Sequence, residues 1–503
     1  MLIDTEQLED GSLLEAKVII AGGGMAGLLL ARQLGDAGID VLVLESGGQA
    51  QDSRVQSLYA GKMTLGGPGN AERNMDGYLI ASRMRYLGGS GNVWGGKCAP
   101  LDPLDFERRD WIAHSGWPVT RASMQSFYDR ACDLLGLPHF HVDAQAMTGA
   151  PEPLFAGKSS RFTARPRCYT RCSGAVANST YHDYKLAASN HERVRIHLKA
   201  NLTRIKLSAD GQRVASLEVR CLNGRTHQAR ASTYILAMGG IENARLLMVS
   251  NDVHRSGIGN HSDWLGRAFQ GHAVIEHEQQ PTVMLIRSSA AMTPFDALDR
   301  GKVHIVLGVS DAAQRDLKGT NLTISMPRGI GAGSGVGVTP QAFARRLAGS
   351  KISERREAYF VIEHTPNRDS RLSLIRDELD ELQMPRIRLD MRFSAAETER
   401  FTPMLTMFAT ELGRTEAGRL QWRNGAADLV AAMSLSRHHM GATRMAVNAK
   451  NGVVDEHCRV HGVQNLYVAG SSVFPTSGIA NPTLTLLALA FRLGDHLRPR
   501  LSA

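Results

Sequence analysis

The turn Gly22-Gly23-Gly24-Met25-Ala26-Gly27 constrains this chain more than any other stretch. It follows Lys17 to Ala21, a β-branched apolar run of the kind that fills a strand buried on both faces. Leu28 to Leu34 reads as the helix that the glycines open, and Asp40 to Leu44 as a second strand ending at Glu45. Glycine at 22 permits the tight turn, at 24 it lets the backbone approach a pyrophosphate, and at 27 it lets helix and strand pack closely. The helix start, with Met25 and Ala26, offers free N–H groups and a positive dipole end to two phosphates. Glu45, about twenty residues past the glycines, suits ribose hydroxyls, and its charge disfavours a 2′-phosphate. The unit therefore predicts a dinucleotide-binding βαβ fold.

NAD and FAD share that fingerprint, and a second glycine-rich turn separates them. Arg85-Tyr86-Leu87-Gly88-Gly89-Ser90-Gly91-Asn92-Val93-Trp94-Gly95-Gly96 has no counterpart in a plain NAD domain, and its small residues suit a backbone packed against a large flat ring. Further motifs follow in order: Ser115-Gly116-Trp117-Pro118, then Ala237 to Leu247 (AMGGIENARLL), Leu265-Gly266-Arg267 with His272, and Pro366 to Arg371 (PNRDSR). With the last block, Arg437 to Met445 (RHHMGATRM), Asn465 to Phe474 and Gly478 to Thr485, nearly the whole chain resembles the glucose–methanol–choline (GMC) family of flavin oxidoreductases. The sugar- and polyol-oxidising branch of that family is the most similar.

The resemblance implies an α/β fold, α+β overall, with a discontinuous Rossmann-like FAD-binding domain and a substrate-binding domain built on an antiparallel sheet. The first is expected over 1–115, 190–270 and 436–503, the second over 116–189 and 271–435. It also implies a cofactor set: Gly22, Gly24, Met25, Ala26, Gly27 and Glu45 from the first motif, and Arg85, Gly88, Gly89, Gly91, Asn92 and Val93 from the second. Leu202, Gly470, Ser471, Asn481, Pro482 and Thr483 complete it. Some members carry a histidine just before the tryptophan of the second motif and bond the flavin covalently. Val93 stands there and cannot, so non-covalent FAD is expected.

Alcohol oxidation by flavin moves a hydride to N5 and a hydroxyl proton to a base, a role that a histidine of near-neutral pKa suits. In the resembled family the base opens a motif ending in Arg-Met, and counting back from Arg444-Met445 places it at His438. His439 is the neighbouring alternative and reads as a packing residue. Asn481 is expected to hydrogen-bond the same substrate oxygen. Pro482 suits a first helical turn, and Thr483 to Leu493 continue the helix, whose dipole would support negative charge on the reduced ring. Ala442 stands where the family usually has Thr.

The reaction expected is oxidation of a hydroxyl of a sugar, aminosugar, glycoside or cyclitol, with dehydrogenase favoured over oxidase. The acceptor is oxygen, a quinone or a redox protein. A lyase without net redox chemistry is the alternative, since one branch of the family binds FAD in that way.

With 503 residues, 43% apolar and 21% charged, the chain has the composition of a soluble two-lobed protein. A net charge of +9 comes without a Lys/Arg stripe interleaved with aromatics, which argues against nucleic-acid binding. No signal peptide and no membrane-spanning run is read, so cytoplasmic residence is expected. Six cysteines are too few for a disulfide scaffold; Cys168 and Cys172 read as loop thiols, a bridge or metal pair being the alternative, and no metal site is expected. Ala122 to Leu135 and Ala395 to Leu412 read as helices. Val303 to Val309, Tyr359 to Glu363, Ser370 to Leu374 and Arg386 to Met391 read as strands, and Val194 to Ser208 with Val214 to Leu222 as a hairpin. Gly329 to Gly337 reads as a linker and the basic stretch through Arg355-Arg356 as a solvated helix. Trp264, Phe295, Tyr359 and His364 are candidates for the substrate pocket.

Overall fold

A computed structural model describes residues 1–67, 70–140, 161–170, 179–275, 282–285, 303–325, 354–421 and 433–502. Cys172, Phe295 and Gly329 to Gly337 lie outside the described residues.

The six-stranded sheet that carries the first motif is parallel throughout. Its order is Leu2–Asp4, Val194–Leu198, Val41–Leu44, Val18–Ala21, Thr233–Leu236 and Leu466–Val468. Val18–Ala21 and Val41–Leu44 are buried at every position, as their unbroken apolar runs require. The helix Met25–Asp36 joins them, one turn longer at its start than the apolar run alone suggests. Its Gln33 donates to Asp495 Oδ1 at 2.7 Å on the last long helix, Pro482–Ser502. That helix runs beyond the expected Leu493 because Leu497 and Leu501 continue its buried stripe.

Val194 to Ser208 is two strands rather than one arm of a hairpin. Val194–Leu198 enters the parallel sheet, while Asn201–Leu207 pairs antiparallel with Val214–Arg220 in a separate four-stranded sheet. Lys199, at a φ of +58°, makes the corner between them.

A seven-stranded antiparallel sheet contributes Lys97 to the wall of the cavity described below. Its order is Met433–Leu435, His272–Ile275, Tyr359–Glu363, Leu322–Ser325, Val303–Val309, Phe162–Tyr169 and Lys97–Cys98. Val303–Val309 and Tyr359–Glu363 keep the bounds read from the sequence. Ser370 to Leu374 and Arg386 to Met391 become Arg371–Leu379 and Pro385–Arg392, paired with Gly61–Gly67 in a further sheet. Ala395–Arg414 is a helix with a Ser394–Glu397 capping box. Ala122 to Leu135 divides into a 3₁₀ turn and the helix Gln125–Leu135. Arg355 and Arg356 are not helical: they lie in the strand Glu354–Glu357, whose partner Thr282–Leu285 is remote in sequence.

A buried ion pair anchors the seven-stranded sheet to the segment after the short helix Pro103–Phe106. Arg109 binds Glu363 through two bonds of 2.7 and 2.5 Å, with both side chains fully buried. Such pairs fix geometry, and removing one partner is costly because it strands a buried charge.

Candidate active site

The first glycine motif leaves no room for side chains. A Cβ on Gly22, at a φ of +101°, would sit 2.6 Å from Ala237 O, and one on Gly27 would sit 2.0 Å from Gly22 O. Gly24, by contrast, has nothing within 4 Å of the Cβ position; it opens onto a cavity of about 410 Å³. Gly22, Gly24, Met25 and Ala26 line that cavity, and the helix they start has no side-chain cap. Glu45 also lines it, its carboxylate held by the backbone N–H groups of Gly23 and Gly47, each at 2.8 Å.

The second glycine turn lies directly on the first. Gly88 N donates to Gly23 O at 2.8 Å, and a Cβ on Gly89 would come 3.4 Å from Gly24 Cα. Gly91 is small for a different reason, since its Cβ would fall 2.5 Å from the ring of Tyr181. Gly89, Gly91 and Val93 line the cavity, with Val93 exposed. Gly27, Gly88 and Asn92 stand behind its wall instead. Asn92 ties the turn by donating to Leu87 O and Gly89 O, each at 3.0 Å. The small residues thus answer first to backbone and to Tyr181, not to a flat ring alone.

Arg85 reaches the cavity within a charge cluster. Arg83, Arg85 and Arg245 surround Glu242 at 2.8, 3.4 and 3.3 Å. Glu242 is buried, yet the three guanidiniums hold its carboxyl down to about 2. Arg83 and Glu242 line the cavity as well and escaped the sequence reading; Glu242 had been seen only as part of a strand–turn–helix motif. Leu202, Gly470 and Ser471 complete this part of the wall.

Asn481, Pro482 and Thr483 put a second helix start on the cavity, and His438 lies beside it. Asn481 Nδ2 is 3.1 Å from His438 Nε2, and His438 Nδ1 is 2.9 Å from Nδ1 of His272. One proton arrangement satisfies both contacts. The amide donates to Nε2, so His438 carries its proton on Nδ1, and His272 accepts there with its own proton on Nε2. His272 Nε2 makes no ideal hydrogen bond, yet the Ser477 and Gly478 carbonyls favour a proton at that position. The Nε2 lone pair of His438 is thereby unprotonated on the cavity side, where the Asn481 amide holds it. His439 also lines the cavity, but its Nε2 lies 3.2 Å from Tyr78 Oη, and its carbonyl accepts from Ser471 Oγ.

All three histidines are held neutral. Burial, then the charge of Lys97, lowers His438 to about 4. Burial, then Arg83 and His438, lowers His439 to about 3, and His272 lies well below its usual value. Unfolded histidines titrate near 6.5, so between there and about 4 the unfolded chain binds protons that the folded one refuses. Stability is therefore present above about pH 6.5 and is lost as pH falls, by ~1.4 kcal/mol per pH unit for each histidine. Thermal midpoints of His439→Gln between pH 7 and pH 5 should fall less steeply than those of the parent; equal slopes would show that His439 is not neutral.

Lys97, which directly follows Gly95-Gly96, lines the cavity and was missed, although a lysine at the close of a glycine turn was visible. The pocket candidates fare worse. Trp264 is buried, donating to Lys450 O at 2.9 Å; His364 is fully buried against Arg392 O; Tyr359 lies in its strand, and none of the three lines the cavity. Cys168 is a buried thiol without a disulfide, pushed up to about 12 by burial. Among the described residues no cluster could hold a metal ion.

Fold and cavity together define a dinucleotide-binding flavoprotein: the uncapped helix start, the open face of Gly24 and Glu45 at the strand end fit FAD. The sequence pattern of the FAD dependent oxidoreductases matches residues 17–296, and that of the GMC oxidoreductases matches 366–490. The chain belongs to the FAD-dependent oxidoreductases of the GMC family and acts on alcohol donors. It is 25% identical to the 6'''-hydroxyparomomycin C oxidase of Streptomyces lividus over 97% of this chain and 92% of that one. To the fructose dehydrogenase large subunit of Gluconobacter japonicus it is 24% identical over 96% and 98%. The solved structure of pyridoxine 4-oxidase from Mesorbium loti shares the fold, with a TM-score of 0.59 at 17% identity over 96% and 99% of the chains.

Proposed function

We propose that the protein oxidises a hydroxyl group of a sugar, aminosugar, glycoside or cyclitol to a carbonyl, with His438 as the proton acceptor. The observation that carries this reading is the His438 Nε2–Asn481 Nδ2 contact at 3.1 Å on the wall of the flavin cavity. FAD, when bound, supplies the hydride acceptor. The substrate oxygen replaces the direct Asn481–His438 contact and bonds to both side chains. Asn481 donates to it, and Nε2 of His438 takes its proton, the lone pair being kept available by His272 behind the ring. Asn481 cannot take a proton itself, so it orients. The glycine motifs, Glu45, Arg85, Leu202, Gly470, Ser471, Pro482 and Thr483 are assigned to FAD.

The substrate class follows the relatives named for a paromomycin derivative and for fructose. No observation favours the lyase reading. The same proposal assigns the parallel sheet to the FAD domain and the seven-stranded sheet to the substrate domain. The flavin is held without a covalent bond, as Val93 offers no nucleophile. Among the described residues no helix is long and apolar enough to cross a membrane, and the buried thiols fit a cytoplasmic chain.

The test begins with acid precipitation, which should release the flavin into solution. The native protein is then mixed anaerobically with a panel of polyols and glycosides. Bleaching of the yellow spectrum by at least one alcohol is expected, and no bleaching by any would sink the reading. Repeating the assay in air and with an artificial acceptor separates oxidase from dehydrogenase.

A further inference from the structure

Lys97 and Arg167 make an unusual pair beside His438. Lys97 stands opposite Tyr169 in the antiparallel register, with Cys98 opposite Cys168. Residues two apart on a strand share a face, so Arg167 is the diagonal neighbour of Lys97 on the same side of the sheet. Lys97 lines the cavity, and its charge is felt by His438. Arg167 is only 4% exposed, its Nη2 is buried without a hydrogen-bond partner, and its charge is felt by His272. Both cations therefore face the catalytic pair, one from the wall and one just behind it.

Buried charges are normally paired, because desolvation otherwise costs several kcal/mol per ion. Here the nearby carboxylates are already engaged. Asp102 binds Arg165 and Asn321; Asp105 accepts from Asn321 Nδ2 at 2.9 Å and from Asp102 N at 2.9 Å; Glu363 is the bidentate partner of Arg109. Among the described residues neither Lys97 nor Arg167 makes an ion pair. The cost shows in both groups: burial, then the charge of Arg167, lowers Lys97 to about 8, and burial lowers Arg167 to about 10, with Asp102 and Asp105 offsetting it in part and Arg165 adding to it. Arg437 adds a third positive charge to the same wall. Glu45 and Glu242, the cavity's carboxylates, are occupied elsewhere, by backbone N–H groups and by arginines.

We propose that the counter-charge is brought by the substrate: the hydroxyl oxidised at His438 belongs to a polyol that also carries an anionic group, which docks on Lys97 with the charge of Arg167 behind it. This rests on the alcohol-oxidising reading above and narrows it. A carboxylate is the anion favoured, since the Lys97 ammonium can donate to it from the cavity wall while the buried Arg167 guanidinium adds positive charge behind. An aminosugar would instead bring like charge to the pair.

The test uses the purified flavoprotein and three matched probes, the methyl glycosides of glucose, glucuronic acid and glucosamine, with glucose 6-phosphate as the phosphate arm. Binding is read from the perturbed flavin spectrum and, separately, from calorimetry, so turnover is not required. The glucuronide should bind about tenfold or more tighter than the glucoside, worth about 1.4 kcal/mol, and the glucosaminide weakest. Lys97→Gln should collapse that ratio, and Lys97→Arg should keep it. Tighter binding of glucose 6-phosphate than of the glucuronide would assign the anion as phosphate and retain the site. Equal binding of the three glycosides, tightest binding of the glucosaminide, or a ratio unchanged in Lys97→Gln overturns the proposal. If neutral or cationic alcohols bleach the flavin while acids do not bind, this inference fails and the function stands. If the acid binds but no alcohol bleaches, the function fails and the anion site stands.

Discussion

His438→Ala should lower kcat/KM by about 10²–10⁴-fold while the protein stays yellow. The side chain removed is the proposed proton acceptor, on the cavity wall beside Asn481. Asn481, 3.1 Å away, has no lone pair to offer from its amide nitrogen. His439 is turned toward Tyr78 and sits deeper. Flavin retention is expected because the hydrogen bonds of His438 go to His272 and Asn481 and none to the nucleotide cradle from Gly22 to Glu45. Steady-state rates with any alcohol that bleaches the parent enzyme would decide it. A variant with full activity would return the base to His439.

Gly27→Ala should yield protein that is colourless or fails to accumulate. The added methyl would lie 2.0 Å from the carbonyl of Gly22, a distance no side chain tolerates. Gly22 cannot retreat, because its own α-carbon already faces Ala237 O closely enough to exclude a Cβ. The strain belongs at the upper end of the ~1–3 kcal/mol range for overpacking, or above it. Gly24→Ala provides the contrast. Its methyl meets no protein atom within 4 Å, so the chain should fold with a near-parental thermal midpoint. The methyl nevertheless enters the cavity where a pyrophosphate would approach, and flavin content should drop. Absorbance ratios and thermal midpoints of the two variants separate these effects; a stable, yellow Gly27→Ala protein would refute the packing argument.

Local features were legible in the sequence because their causes are local. Val18–Ala21, the glycine turn and Met25–Asp36 follow one another without help from distant residues. Val303–Val309 and Tyr359–Glu363 alternate strongly enough to show their ends. What depends on remote partners was hidden. Arg355 and Arg356 carry no strand signal of their own, and Thr282–Leu285 supplies the ladder. His272 was visible as a motif residue, but its bond to His438 joins a strand to a loop 166 residues further along the chain. Nothing before the fold pointed to a positioning role. Gly91 showed that a position could be small for an unforeseen reason, the ring of Tyr181. The unpaired charges of Lys97 and Arg167 could not be read either, since a lysine reveals its lack of a partner only once every neighbour is placed.

The order of strands in the parallel sheet has a consequence for synthesis. Val18–Ala21 and Thr233–Leu236 pair side by side, but the neighbour of Thr233–Leu236 on its other edge, Leu466–Val468, leaves the ribosome long afterwards. His438 and Asn481 emerge in that same late portion. A nascent chain can therefore shape the glycine cradle while it still lacks the proposed proton acceptor, and on that proposal a half-made molecule has no means of turning over an alcohol. The pairing that closes the sheet is of high sequence separation, the kind that forms slowly and leaves an edge exposed until it does.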